Sequence, residues 1–278
     1  MATLRDTSVE AIEQRLEELE SEEAEQRTSV LTHMAWVPPE WYRKAERVMK
    51  GLGARVPSRT LILHPDPGAR VDRIDARIEH ECFEDAEYNI CAEIIHLWLR
   101  GRTARVPASV VVSLLLPDLP VFLRWRGKPP FGKAEFEQLV EVADRLVVDS
   151  AEWKGLPRAY DRLRTEFERV MVSDLAWSRT LRWRAGLADL WPGIRRARSV
   201  HVTGPQAEAL LIAGWLRSRM RKEIALRRTD ADMIRGVEVD GTPVAPAQLP
   251  GASVSDLLSE QLEQYARDRI YEAAVRAA

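Results

Sequence analysis

Apolar residues recur along this chain in two rhythms, one near two residues and one near three and a half, and the rhythms change over repeatedly. From Thr7 to about Gln26, Val9, Ile12, Leu16 and Leu19 form a narrow stripe against a face that is almost all glutamate. This predicts an amphipathic helix, with Thr7 and Glu10 spaced as a capping box. Val30–Val37 reads as a strand closed by Pro38-Pro39, and Glu40 to about Lys50 as a short helix ending at Gly51 and Gly53. Arg59–His64 is apolar without a break through Leu61-Ile62-Leu63, the pattern of a strand covered on both faces. Strand, helix and strand in this length suggest a right-handed parallel unit. Ile74–Phe83 and Tyr88–Leu99 alternate in polarity and predict a hairpin with its turn at Glu84–Glu87, a fold that sets Cys82 opposite Cys91. A crossover helix over Pro107–Leu116, a strand over Pro120–Trp125, a helix over Lys133–Arg145 and a buried strand over Leu146–Asp149 complete this half.

The second half opens with a charged helix, Leu156–Val170. Ser173–Trp191 then reads as one amphipathic helix, with Ser173 or Asp174 as N-cap and Pro192-Gly193 as its stop. On it Trp177, Leu181, Arg184 and Ala188 form one line, and Trp183, Leu187 and Trp191 a second. Arg179 and Trp183, four apart, are placed to stack, and the charged ends of Arg179 and Arg184 can reach past the apolar body. Two readings of the tryptophans stay open: core anchors, or anchors for a partner. A strand at Ser199–Thr203, an apolar helix at Gln206–Met220, and strands at Glu223–Arg228 and Val237–Asp240 with an Asp240-Gly241 turn follow. A last helix, capped by Ser253 or Ser255, carries Leu257, Leu258, Leu262, Tyr265, Ile270 and Tyr271. The expected fold is α/β, with two parts built from strand–helix–strand units, a mixed sheet with a hairpin in the first part, and helices toward both ends. The expected divisions are an acidic helix at residues 1–27, an α/β domain at 28–155, and a second α/β domain at 156–278 containing the Trp-rich connecting helix 173–191.

Charge changes this picture little. The 278 residues carry 41 Lys and Arg against 43 Asp and Glu, so no general attraction to polyanions is expected. The distribution is uneven: residues 1–27 hold nine acids and three bases, and residues 217–228 six bases and one acid. The basic run lacks interleaved aromatics, and cations there suit the end of a helix, so no nucleic-acid partner is expected. No apolar run is long enough to span a membrane, and two cysteines fit a reducing cytoplasm, so the expected location is cytoplasmic, with no membrane partner.

Chemistry is sparse. There is no Gly-x-Ser-x-Gly elbow, His-Glu-x-x-His or Cys-x-x-Cys. Thr203-Gly204-Pro205 ahead of a helix only faintly suggests a phosphate site. Glu79, His80, Glu81 and His96 match no metal spacing, and histidines 33, 64, 80, 96 and 201 read as structural. Cys82 and Cys91 are a candidate redox pair or two small apolar residues on one sheet face. No enzyme, cofactor or metal is expected.

The stretch Asp174-Leu175-Ala176-Trp177-Ser178-Arg179, followed by Trp183-Arg184-Ala185, carries a resemblance. Ala209–Leu216 with Ser218-Arg219, Val112–Val121 with its Leu-Pro-Asp-Leu-Pro, and Pro57-Ser58-Arg59 before an apolar strand extend it in order along the chain. Together they resemble the glucose-6-phosphate dehydrogenase assembly proteins of the OpcA family; Val56 departs from that family's His before the Pro-Ser-Arg. The resemblance implies a non-catalytic factor that binds glucose-6-phosphate dehydrogenase and favours its active form. Asp174, Trp177, Arg179, Trp183 and Arg184 are then the candidate partner-binding positions. The alternatives are a regulatory module sensing a small ligand or sugar phosphate, and a nucleic-acid-binding protein.

Overall fold

The unbroken apolar runs become the buried centre of a mixed sheet. The computed structural model describes residues 1–22, 29–49, 57–84, 89–249 and 253–278. These divide into two units, Met1–Val147 with Val254–Gln264, and Val148–Ser253 with Tyr265–Ala278. The strands of the first unit are β1 (Ala2–Leu4), β2 (Leu31–Trp36), β3 (Ser58–Asp66), β4 (Arg73–Glu84), β5 (Asn89–Arg100), β6 (Val121–Trp125) and β7 (Arg145–Val148). They lie in the order β1-β4-β5-β3-β2-β6-β7. From β5 through β7 each neighbouring pair is parallel, while β4 runs antiparallel to β5 and to β1. Every residue of β2 and all but the last of β3 are buried, as parallel strands covered on both faces require. Trp36 and Trp125 pair in register, and their rings stack with centroids 4.8 Å apart.

The first unit's helices are α1 (Val9–Glu22), α2 (Tyr42–Met49), α3 (Arg102–Arg105), α4 (Ala108–Val111) and α5 (Ala134–Glu141). The predicted stripe on α1 is real: Ile12, Leu16 and Leu19 are buried. Its start is set by Ser8, whose hydroxyl accepts from the Ala11 amide at 3.2 Å, not by Thr7. The expected crossover helix over Pro107–Leu116 is α4 followed by a single 3-10 turn, Val112–Leu114. Three successive valines, stiff at χ1, disfavour a longer α-helix there. The hairpin register is as read from sequence, with Cys82 opposite Cys91. Its turn at 85–88 and the side chains of 80–92, hence any redox role of the cysteines, lie outside the described residues.

The second unit contains β8 (Met171–Asp174), β9 (Ser199–Thr203), β10 (Ala225–Thr229), β11 (Gly236–Val239) and β12 (Thr242–Val244), of which four form a sheet in the order β10-β9-β11-β12. Its helices are α6 (Arg158–Glu166), α7 (Leu175–Arg179), α8 (Leu181–Ala188) and α9 (Gln206–Met220). The chain returns to the first unit with α10 (Val254–Leu262) and ends in the second with α11 (Arg269–Arg276). Both units are thus mixed α/β. The Asp240-Gly241 turn forms as expected, with φ of 49° and 82°, and joins β11 to β12. Part of the basic run is structural: Arg217 donates to the carbonyls of Ile224, at 3.0 and 2.9 Å, and of Ala277, at 3.0 Å. The Gly204 amide donates to Thr229 O, so Thr203–Pro205 does not offer that donor to a phosphate.

Two helix expectations are corrected. Ser173–Trp191 is not one helix: Ser173 and Asp174 close β8, and Thr180 separates α7 from α8. The Thr180 hydroxyl bonds back to the Trp177 carbonyl at 2.6 Å, competing with the helix ladder where the break falls. The two apolar lines therefore do not continue across it. Leu181 is 49% exposed and Trp191 61%. The last predicted helix is also two, because Asp268 starts α11 by accepting from the Ile270 and Tyr271 amides, both at 2.9 Å.

Within the second unit α9 and α11 cross at Gly214, where a Cβ would lie 2.1 Å from the Ala274 carbonyl oxygen. Gly214→Ala is therefore expected to destabilise the protein by about 1–3 kcal/mol through overpacking, against the intrinsic helix preference of alanine. A thermal melt equal to or above the parent's would contradict this account of the crossing.

Candidate functional site

The sequence signature folds inward as a buried polar cluster in the second unit. Extended backbone at Asp174, φ −133° and ψ 120°, turns its side chain back over the start of α7. Asp174 is 1% exposed. One carboxylate oxygen accepts from the amides of Ser150 at 3.0 Å and Ala176 at 2.9 Å, and the other from the Tyr271 hydroxyl at 3.2 Å. Burial, and then the negative charge of Asp149, push its pKa up to about 6, against the pull of the Ser150 and Ala176 donors. The Tyr160 hydroxyl lies 3.0 Å from Ser150 Oγ. Burial and the neighbouring Asp174 carboxylate raise the pKa of Tyr160 and of Tyr271 well above the usual phenol value, so both remain protonated donors.

Arg179 is the cation of the cluster. Its two terminal nitrogens donate to both oxygens of Asp149, at 3.0 and 2.6 Å, and its Nε to Glu208 at 2.8 Å. Burial alone would lower its pKa, but the carboxylates of Asp149 and Glu208 outweigh this and hold it above its ordinary value. Glu208 is 2% exposed, and its second oxygen is buried with no hydrogen-bond partner among the described residues. Burial raises its pKa, opposed by Arg179.

Trp177 is held on three sides. Its indole N–H donates to Asp268 at 2.8 Å, the Arg184 guanidinium carbon lies 3.4 Å above its ring centroid, and the Tyr271 ring packs with centroids 5.8 Å apart. Burial lowers the pKa of Arg184 to about 10, opposed by Asp268, so it stays charged near neutrality. Trp183 is half-buried and packs against the cluster containing Leu187, Ile194 and Val200. The expected stack of Arg179 on Trp183 does not form. The break at Thr180 takes the two off a common helix face, and the stacked pair is Arg184 on Trp177.

Of the five candidate positions, Asp174, Trp177, Arg179 and Arg184 thus come together, and Trp183 faces a separate core. Sequence reading missed Asp149, Glu208, Tyr271 and Asp268. Signals existed for two of them. Asp149 ends an apolar strand, and Glu208 is the one acid in a run of small and apolar helix residues. Nothing local marks Tyr271 as a hydrogen-bond donor. Elsewhere, His64 and His96 face each other at 3.0 Å, and burial lowers their pKa values to about 3 and about 4, so both are neutral at physiological pH. Among the described residues no group of three or more His, Cys, Asp or Glu is placed to hold a metal.

A family model described as the glucose-6-phosphate dehydrogenase subunit N-terminal domain, OpcA type, matches residues 50–165. Three cyanobacterial relatives carry the name "Putative OxPP cycle protein OpcA". The one from Nostoc punctiforme is 25% identical over 229 residues, covering 76% of this chain and 49% of its own length. The one from Synechococcus elongatus is 28% identical over 200 residues, 62% and 44% of the two chains. The one from a Synechocystis strain is 27% identical over 144 residues, 48% and 30% of the two chains. The chain spans about half or less of the length of these relatives.

Two stability tests follow from the cluster. Arg179→Ala leaves Asp149 and Glu208 buried without their cation and is expected to cost about 3–5 kcal/mol. A melt within about 0.5 kcal/mol of the parent would show that the cluster is not the anchor described. Asp174 binds its proton more tightly folded than at its ordinary value of 3.8, so its contribution favours the fold fully below about pH 4 and is lost as pH rises through 6. Asp174→Asn keeps an acceptor for the two amides and removes the charge. Its melting temperature is expected to exceed the parent's at pH 8, by the equivalent of roughly 2–3 kcal/mol, with the margin shrinking toward pH 4. Two pH curves that run parallel would refute this.

Proposed function

We propose, from the match of residues 50–165 to the OpcA family model, that this chain is an OpcA-type assembly protein, a non-catalytic factor that binds glucose-6-phosphate dehydrogenase and favours its active oligomeric form. The observation that carries the reading is this family match, to which the OpcA relatives add aligned sequence well beyond the matched segment. The mechanism is a population shift. A factor that binds one form of the enzyme better raises that form's share, by no more than the ratio of its two affinities. The process served is the oxidative pentose phosphate route in the cytoplasm. Among the described residues no helix is long and apolar enough to cross a membrane.

In this proposal the signature residues act by holding the second unit's shape. Asp174, Trp177, Arg179 and Arg184 are engaged with one another and with Asp149, Glu208, Asp268 and Tyr271, which leaves little of them to offer a partner. The surface at the end of the same stretch is open. Of the nine tryptophans, Trp191 is the one left exposed, with the Arg195 guanidinium 5.5 Å from its ring. An exposed aromatic beside an arginine has the composition of an interface anchor.

The test is a titration of the host's glucose-6-phosphate dehydrogenase with the purified chain, reading activity and oligomeric state together. Activation with a shift toward the larger form is expected, and the chain alone should not reduce NADP with glucose 6-phosphate. Trp191→Ala should weaken binding by at least about 2 kcal/mol while leaving the melt unchanged. An enzyme whose activity and size ignore the chain would end the proposal, and unaltered binding by Trp191→Ala would remove that surface from it.

A further inference from the structure

A cavity of about 310 Å³ opens on the first unit where β1, β4 and β5 lie side by side. Thr3, Arg5, Arg73, Asp75, Trp98 and Arg100 line it. The register explains their meeting: Arg73 pairs with Arg100 and Asp75 with Trp98, so all four share one face of the sheet. Asp75 is fully occupied. Its carboxylate accepts from Arg73 Nε at 2.8 Å and from the Asp6 amide at 2.9 Å, and lies 3.3 Å from an Arg100 terminal nitrogen. It therefore orients two guanidiniums and balances only one of three. Arg5, at the mouth, has no hydrogen-bond or ion-pair partner among the described residues. Other acids stand near the group: Asp72 accepts from the Arg102 amide at 2.6 Å, Asp66 pairs in register with Arg100 on β3, and Asp6 follows Arg5 in sequence, but none of them makes an ion pair with Arg5 or Arg100.

Trp98 supplies a rigid apolar wall. Its ring stacks on His64 with centroids 4.9 Å apart and planes 14° from parallel, and the Arg77 guanidinium lies 5.7 Å from its centroid. Its indole N–H donates to nothing among the described residues, and Thr3 is also among the lining residues. The guanidiniums of Arg5, which has no ion pair, and Arg100, held only by a 3.3 Å contact to a shared carboxylate, suit an anionic group, because their fixed forks match phosphate oxygens. A flat indole with a free N–H, in a cavity that Thr3 also lines, suits a small ring bearing hydroxyl groups. The volume sits at the low end of small-molecule sites, about 300–1,000 Å³.

We infer that this cavity binds a small phosphorylated sugar, its phosphate between Arg5 and Arg100 and its ring against Trp98. This site is separate from the buried Arg179 cluster and stands whether or not the chain acts on a dehydrogenase.

Isothermal titration of the full chain alone, with glucose 6-phosphate, glucose and inorganic phosphate as probes, tests it. The phosphorylated sugar should bind saturably and more tightly than inorganic phosphate, and glucose should give no saturable heat. Arg5→Gln alters an exposed, unpartnered side chain, so its melt should match the parent's while affinity for glucose 6-phosphate falls about tenfold, the scale of one charge-assisted contact. Arg100→Gln should weaken binding similarly, and Trp98→Phe should weaken the sugar phosphate more than inorganic phosphate. No saturable binding by the parent chain, affinity unchanged in both arginine variants, or inorganic phosphate binding as tightly as the sugar phosphate would each overturn the inference. The dehydrogenase is left out of the cell, so failure here leaves the assembly proposal untouched.

Discussion

Arg179 is held between Asp149 and Glu208, and the second unit depends on that arrangement. A charged group carried out of water costs several kcal/mol, and here one guanidinium and two carboxylates are all largely removed from solvent. Bidentate geometry to Asp149 and a third contact to Glu208 offset that cost only while all three positions are fixed. The cluster thereby ties together segments far apart in sequence: the turn at Asp149, the helix start at Asp174, α9 through Glu208, and α11 through Tyr271 on Asp174. Losing one member leaves the others charged and buried, so the network behaves as a unit.

Asp174 shows how one residue joins local and long-range demands. It terminates a strand, caps a helix, fixes the backbone at Ser150 and anchors Tyr271. Four tasks on one short side chain leave no close substitute except its own amide. Trp177 extends the same logic to apolar surface. It is clamped between an arginine face and a tyrosine ring while its N–H is satisfied by the residue that caps α11.

The first unit is organised differently. Its parallel strands bury apolar runs together with paired polar residues such as Arg59 and Glu93, while at the antiparallel edge β1, β4 and β5 present arginines, Asp75 and Trp98 on one face. A mixed sheet of this type puts packing at its parallel centre and leaves its antiparallel flank open to solvent. The cavity lies on that flank.

By itself the sequence determined the elements that carry a strong period. β9 and α9 fall at the boundaries the pattern predicts, the hairpin of β4 and β5 has the expected register, and the Asp240-Gly241 turn forms because only such residues accept its backbone angles. A resemblance to the OpcA family was legible as well, from short motifs whose order is carried by the chain. Tertiary structure decided what the residues of those motifs touch. Thr180 broke a helix that periodicity read as continuous, because a side-chain hydroxyl competing for a backbone carbonyl leaves no trace in a hydrophobic pattern. The partners of Arg179 lie 30 and 29 residues away and those of Asp174 up to 97, distances at which local spacing says nothing about contact. Burial finished the assignment: an arginine that would have projected into water on an isolated helix is drawn into a nest of carboxylates, since in a largely dry interior only a paired charge is tolerated.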